Sequence, residues 1–169
     1  MVVISRMYYP MARLWPDLLR AGLGVLFCLA LMLFTAPVSV IFTILCGVSL
    51  IFLWLALHTV LRLQTKFELD TEGVSRQGAG WFGGRLRRLN WDGLRGMTLR
   101  YYSTRRDGSQ GWMTITMQGD GGTLRADSDL EDFTLLVEQA LAAAARLNLT
   151  LDDRSLSNAS RLLGRDISR

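Results

Sequence analysis

The chain has 169 residues, half of them hydrophobic, and a formal net charge of +4 at pH 7. Its charges are segregated, because no charged side chain lies between Ala21 and Leu61 and most of the Arg and Asp residues follow that stretch. This distribution excludes a single soluble core and is typical of a membrane segment followed by a water-facing module. Both cysteines lie within the apolar stretch and His58 is the one histidine, which excludes a disulfide scaffold and a structural zinc site.

The apolar stretch is about twice as long as the ~20 residues that one membrane-spanning helix needs. It is interrupted at Thr35-Ala36-Pro37, and Pro37 suits the start of a second helix because it lacks an amide donor. A cleaved signal peptide is the alternative for the first span, but no small-residue cleavage site follows it cleanly. Small residues that would allow close backbone approach, or that simply face lipid, are Gly22, Gly24, Gly47 and Ser49. The sequence predicts a transmembrane hairpin in residues 16–63, with antiparallel helices at about 16–35 and 37–62.

Positive charges flank the predicted hairpin on both sides and are absent from its turn; they are Arg6, Arg13 and Arg20 before it and Arg62, Lys66 and Arg76 after it. Because positive flanks stay in the cytoplasm, we expect both termini there and the hairpin tip on the far side. Residues 1–15 are predicted to form an interfacial segment, in which Tyr8, Tyr9 and Trp15 would join an aromatic belt.

Beyond the hairpin, short stretches of alternating polar and apolar residues are separated by glycine-containing turns. Asp107-Gly108 and Gly119-Asp120-Gly121-Gly122 are the clearest of these turns, and the first is a strong hairpin signal. The pattern predicts an antiparallel, twisted sheet or open barrel with strands at 65–70, 74–76, 85–91, 94–103, 112–118 and 123–126.

An amphipathic helix is predicted after the last strand. Ser128 and Glu131 have the spacing of a capping box, and apolar residues recur at helical spacing from Leu130 to Leu147. This apolar face should close one end or side of the sheet. The tail, residues 149–169, has a second and weaker helical pattern, and we expect it to be a surface segment or a partner-docking tail.

Two short segments carry a resemblance to a known family. They are Phe67–Val74, which reads FELDTEGV, and Leu89–Leu94, which reads LNWDGL. With the strands and the closing helix they resemble the pleckstrin-homology (PH) superfold, and in particular small bacterial PH-like domains that follow paired membrane helices. The resemblance covers about residues 67–147. It implies a membrane-anchored α+β protein of the bacterial cytoplasmic (inner) membrane, with a small PH-like antiparallel barrel or sheet, capped by a helix, in residues 64–148.

Arginines dominate the first half of this predicted module. Eight of them lie between Arg76 and Arg106, against the single acid Asp92, and the balance turns acidic from Asp120 onward. Arginines close to a membrane surface are attracted to anionic headgroups by about 1 kcal/mol each. Residues 85–88 lie just after the loop that, by the resemblance, holds the phosphate-binding cations in lipid-binding PH domains. The resemblance therefore implies Arg85, Arg87 and Arg88 as candidate contact residues, with Trp81 and Phe82 as interfacial inserts.

Three interpretations of this arginine-rich surface remain open: anionic lipid contact, protein contact, or a solvated face without a site. The glycine-rich loop at 78–84 lacks the G-K-[ST] ending of a phosphate-binding P-loop. We predict no catalytic residue, no cofactor and no metal, because no nucleophile, base or ligand constellation is evident. Nucleic acid is disfavoured by the modest net basicity of the module.

The leading hypothesis is a non-enzymatic membrane-anchored adapter, or accessory subunit, of a larger membrane protein complex. The alternative is a lipid-binding or sensing protein at the membrane surface, and self-association is compatible with either. A transporter or channel subunit would need polar groups along the spans, and few are present.

Overall fold

A computed structural model describes residues 3–34, 39–78, 86–103 and 111–164. Within these ranges the elements are β1 (Val3–Tyr8), α1 (Met11–Phe34), α2 (Ser39–Leu63), β2 (Lys66–Asp70), β3 (Gly73–Gln77), β4 (Leu86–Asn90), a 3-10 turn (Trp91–Gly93), β5 (Leu94–Tyr102), β6 (Trp112–Gly119), β7 (Gly122–Asp127), α3 (Phe133–Arg146) and α4 (Asp153–Leu163). The chain divides into two compact units. We call Tyr9–Gln64 the helical pair, and Met1–Tyr8 with Thr65–Arg169 the β module.

The helical pair consists of two helices that are long and apolar enough to cross a membrane. α1 has 24 residues and α2 has 25 residues, and an 18-residue stretch within each has a mean hydropathy of 2.0 and 2.7, respectively. α1 begins five residues earlier than expected and includes Pro16, which has no N–H and therefore leaves out one backbone hydrogen bond in the second turn of the helix. Pro37, which was expected to open the second helix, lies outside the described residues, and α2 begins at Ser39.

Gly24 is the small residue that brings the two helices together. A Cβ atom at Gly24 would lie 2.6 Å from the ring of Phe52, so the phenyl group packs where a side chain would otherwise stand. Gly22 and Gly47 have no atom within 4 Å of such a Cβ atom. Of the glycines that the sequence singled out, only Gly24 therefore serves this contact.

The outward faces of α2 and of the part of α1 that follows Arg20 are largely apolar. Many large hydrophobic side chains are exposed along them, among them Leu23, Leu26, Phe27, Leu33, Phe34, Val40, Ile44, Leu50, Ile51 and Trp54. Patches of this extent are rare on soluble monomers and mark a surface that a protein or a membrane covers.

The first sheet of the β module has the strand order β1-β2-β3-β4, and every neighbouring pair is antiparallel. β1 was not predicted. Its alternation places Met7 in the core, where it is 1% exposed, while Arg6 on the other face pairs with Glu68 at 3.2 Å. The segment expected to be one interfacial stretch, residues 1–15, is thus divided between a strand and the start of α1. The helical pair is inserted between two strands that pair with each other.

The second sheet has the order β5-β6-β7, again antiparallel. Leu99, Ile115 and Ala126 lie in one cross-strand row and all are buried. All six predicted strands are present, and each end differs from the expected position by at most one residue. The antiparallel α+β layout is therefore as predicted, and neither sheet closes on itself among the described residues.

The predicted start of the closing helix is wrong. α3 begins at Phe133 and not after Ser128, because the residues of the expected capping box are used by the strands. The Ser128 hydroxyl accepts the amide of Met113 at 3.1 Å, and the amide of Glu131 donates to the carbonyl of Tyr8 at 3.0 Å. From Phe133 onward most of the expected apolar face is buried, whereas Leu141 and Leu147 are partly exposed.

Candidate functional site

The predicted site residues fall into two groups. Arg87 and Arg88 lie on β4, whereas Trp81, Phe82 and Arg85 lie outside the described residues. Because successive residues of a strand point to opposite faces, Arg87 and Arg88 belong to different surfaces of the sheet. The structure therefore does not bring these two arginines into one patch.

Arg88 holds the turn between β2 and β3. Its guanidinium lies 3.2 Å from the carboxylate of Asp70 and 3.1 Å from that of Glu72, and its Nε donates to Asn90 at 3.0 Å. Asp70 is 2% exposed and also accepts the amides of Glu72 and Gly73 at 2.8 and 2.7 Å. Arg88 thus neutralises a buried carboxylate that fixes this turn, which is a structural role inside the module.

Arg87 links the two sheets. Its guanidinium donates to the carbonyl of Thr123 on β7 at 3.3 Å, and the residue is exposed. A single hydrogen bond to a carbonyl leaves the positive charge of Arg87 without a counter-charge in that contact. This residue is therefore better suited than Arg88 to meet an anionic group outside the chain.

An open cavity of about 510 Å³ lies beside Arg88. Its lining is acidic overall and consists of Glu72, Arg88, Asn90, Asp92, Gly93, Asp120 and Gly121. Three carboxylates around one already paired arginine do not favour an anionic ligand. Among the described residues no three His, Cys, Asp or Glu side chains are grouped to hold a metal ion.

α4 covers the outer edge of β5. The Ser155 hydroxyl accepts the amide of Leu99 at 2.9 Å, and the side-chain amide of Asn158 donates to the carbonyl of the same residue at 2.8 Å. Two helix side chains thus occupy the positions of a neighbouring strand's backbone groups. The sequence pointed only to a weak helical pattern in this tail, and nothing local in it indicates a strand as its partner.

Charges and an aromatic ring extend the contact between α4 and β5. Asp152 lies 2.8 Å from Arg100, and the guanidinium of Arg161 lies 5.0 Å above the ring of Tyr101. The Ser155 hydroxyl donates to Asp152, and this hydrogen bond, helped by Arg100, lowers the pKa of Asp152 below its usual 3.8. These polar contacts border an open cavity of about 520 Å³ between α4 and the end of β5.

Other arginines of the β module are also paired with acids of the same chain. Besides Arg88 with Asp70, the ion pairs are Arg6–Glu68, Arg95–Asp120, Arg100–Asp152 and Arg146–Asp92. Most of these pairs are exposed, so each contributes little to stability. Three of these pairs neutralise arginines of the basic surface that the sequence predicts, namely Arg88, Arg95 and Arg100.

No protein-family model, curated protein or solved structure matches the chain. The candidate surfaces must therefore be judged on their own geometry and charge.

Proposed function

We propose that this chain is a non-enzymatic, membrane-anchored adapter, or accessory subunit, of a larger membrane protein complex, with the β module as a PH-like platform for protein docking. The pairing of the module's arginines with its own acids carries the proposal. A paired arginine must give up its carboxylate before it binds an anionic headgroup, so the pairing weakens electrostatic adhesion to lipid. Protein docking through the module is favoured instead.

Membrane anchoring is supported by the length and the surface of the helical pair. A helix of 24 residues is about 36 Å long, which exceeds the ~30 Å hydrocarbon core of a bilayer. The exposed apolar side chains would face lipid or apolar helices of the complex. With positive residues on both flanks, we propose a multi-pass protein with both termini in the cytoplasm. The resemblance to small bacterial PH-like domains implies that the membrane is the bacterial cytoplasmic (inner) membrane.

The pairing of β1 with β2 supports this topology independently of charge. β1 precedes α1 and β2 follows α2, so the two strands can pair only if both ends of the helical pair lie on the same side of the membrane. Two spans satisfy this condition. A chain with one span would not.

The PH-like interpretation is supported by the parts present. Two antiparallel sheets followed by an amphipathic helix, α3, are what the resemblance implies for residues 67–147. β1 and α4 lie outside that range, and they are the features that a partner specific to this chain would meet.

The test is purification of the tagged chain from its native membrane in mild detergent, followed by mass spectrometry. We expect a partner in stoichiometric amount that stays bound at moderate salt. A tagged chain with the β module attached to an unrelated helical hairpin is the matched control, since it separates docking by the module from docking by the helical pair. A chain that arrives alone, or with anionic lipid only, would contradict the proposal.

A second candidate function, lipid binding at the membrane surface, is favoured by one row of the first sheet. Lys66, Gln77 and Leu86 lie opposite one another in register, and all three are exposed, Leu86 to 66%. Lys66 follows the end of α2 by three residues along the chain. The candidate contacts Trp81, Phe82 and Arg85 follow Gln77 in the chain and belong to the same hypothesis.

This second function predicts that anionic lipid copurifies with the chain and depends on this end of the sheet. The variant carrying Leu86→Ser and Arg87→Gln should retain less anionic lipid, as measured by native mass spectrometry. Arg125→Gln, on an exposed position of β7, is the control and should retain as much as the wild type. Equal loss in both variants would indicate a general effect of net charge and not a site.

A further inference from the structure

The outer edge of β5 is where the β module could accept another strand. β5 is an edge strand of its sheet, and the amide and carbonyl of Leu99 point away from β6 toward α4. Exposed strand edges pair readily with other chains, and proteins cover them with helices or loops for this reason. α4 is such a cover, and two of its side chains, Ser155 and Asn158, form hydrogen bonds with the backbone of β5.

α4 is held less firmly than α3. Its buried residues are Ser155 and Ala159, whereas α3 buries Phe133, Leu136, Val137 and three alanines. Hydrophobic burial is the main favourable term in packing, and polar contacts at a solvent-accessible surface add little net stability. α4 can therefore leave its place while the core beneath α3 stays packed.

Departure of α4 would leave a defined chemical surface. The amide and carbonyl of Leu99 would need new partners, which an extended backbone supplies with the same geometry. Arg100 would lose the carboxylate of Asp152 and would need another acid. The surface thus selects an extended segment that carries an acidic side chain opposite Arg100.

We propose that α4 is a displaceable latch, and that the partner docks by adding an extended, acidic strand to the edge of β5 in its place. The inference rests on the proposed function, in that it takes the partner to be a protein. It adds the docking mode, the residues that bind, and an intramolecular competitor that sets the strength of docking.

The first test is hydrogen exchange on the full chain in detergent. In the variant carrying Ser155→Ala and Asn158→Ala, the amide of Leu99 should exchange about tenfold faster or more, as expected when two hydrogen bonds are lost. Ser157→Ala, exposed on the same helix, is the matched control and should exchange like the wild type. Unchanged exchange at Leu99 in the double variant would overturn the latch. If that variant fails to fold, the wild type decides: amides of α4 and Leu99 must exchange before those of β6.

The second test measures strand addition with a synthetic probe. The probe is a labelled peptide with the sequence of β6, Trp112–Gly119, carrying Thr114→Asp. β6 pairs residue 114 with Arg100 on the inner edge of β5, and the same register on the outer edge would place the new acid opposite Arg100. We expect it to bind the double variant with a Kd about tenfold lower than for the wild type. The same peptide with Ile115→Pro cannot donate the central hydrogen bond and should not bind.

Equal binding of the peptide to the wild type and the double variant would overturn the docking mode, even if Leu99 exchanges freely. This assay contains no native partner. Purification of the chain without a protein partner would therefore contradict the accessory-subunit proposal. Equal peptide binding would contradict only the proposed strand addition.

Discussion

At the scale of single residues, several charged side chains of the β module are paired with one another. Asp70 is a carboxylate inside the β module, and it accepts two backbone amides while Arg88 balances its charge. Gly73 completes the turn, because a Cβ atom there would collide with the carbonyl oxygen of Leu89. One turn thus combines a charge, two amides and a close backbone approach. Its arginine, a candidate lipid contact in the sequence, is needed inside the fold.

Replacement of Arg88 should destabilise the β module. Arg88→Met leaves the buried carboxylate of Asp70 without its counter-charge, and we expect a loss of about 1–3 kcal/mol in the free energy of unfolding. Arg87→Met removes one exposed hydrogen bond and should cost less than about 1 kcal/mol. Denaturant unfolding of both variants, followed by far-UV circular dichroism, measures the difference. Equal losses would show that Asp70 does not depend on Arg88.

Asp152 makes the contact between α4 and β5 sensitive to acid. Its pKa is lowered by the Ser155 hydrogen bond and by Arg100, so ionised Asp152 stabilises the contact. This contribution is present above the ordinary pKa near 3.8 and is lost as the pH falls through the lower folded value. Exchange at the Leu99 amide, corrected for the intrinsic rate, should therefore rise in strong acid. In Asp152→Asn this dependence should disappear, and its persistence would assign the effect to another group.

At the scale of elements, local pattern accounts for most of the secondary structure. The long apolar runs predict both long helices. Alternating polar and apolar residues, separated by glycine-containing turns, predict β2 to β7. β1 was missed because Val3–Tyr8 has a short pattern beside a candidate span, and its strand character depends on pairing with β2. The role of α4 was missed for a related reason, since its partner is the backbone of a distant strand.

The candidate site was predictable only in part. The sequence marked Arg87 and Arg88 as a basic pair, and their opposite faces follow from strand alternation alone. The partner of Arg88 depends on the register of β3 and β4, which places residue 88 beside the turn that contains Asp70. Non-local pairing of this kind is not encoded in spacing along the chain.

The contact between α1 and α2 provides a matched pair of substitutions. Gly24→Leu must displace the ring of Phe52, whereas Gly22→Leu enters open space on the same helix. Both changes raise helix propensity by a similar amount, so the difference between them reports on packing. We expect Gly24→Leu to lower the thermal unfolding midpoint in detergent and Gly22→Leu to leave it unchanged or higher. Equal midpoints would indicate that the two helices do not pack through Gly24.

At the scale of the whole molecule, the β module is built from two separated pieces of chain. Met7 in β1 is buried beside Phe67 in β2, although the entire helical pair lies between them in sequence. Deletion of residues 1–8 would uncover the edge of β2 and remove a buried methionine. Loss of such a side chain alone costs about 2–5 kcal/mol.

The proposed topology has a direct test. Reporter tags at the N-terminus and at the C-terminus should be digested by protease from the same side in sealed membrane vesicles of known orientation. Met7→Asp should not change this result, because the helical pair sets the topology, but it should make the β module sensitive to protease. Tags protected on opposite sides would exclude pairing of β1 with β2 in the membrane.

Because the helical pair lies between β1 and β2 in the chain, the β module can be completed only after both helices have been made. β1 leaves the ribosome first and cannot meet β2 until both apolar helices have been made. If the helices cross the bilayer as a hairpin, β1 returns beside β2 and the module closes over Phe67. If either helix fails to insert, the two strands are held on opposite sides, and the module keeps an open edge and an uncovered core. Under the proposed topology, completion of the β module thus reports correct membrane insertion, and proteases that recognise unfolded chains can remove the products that fail.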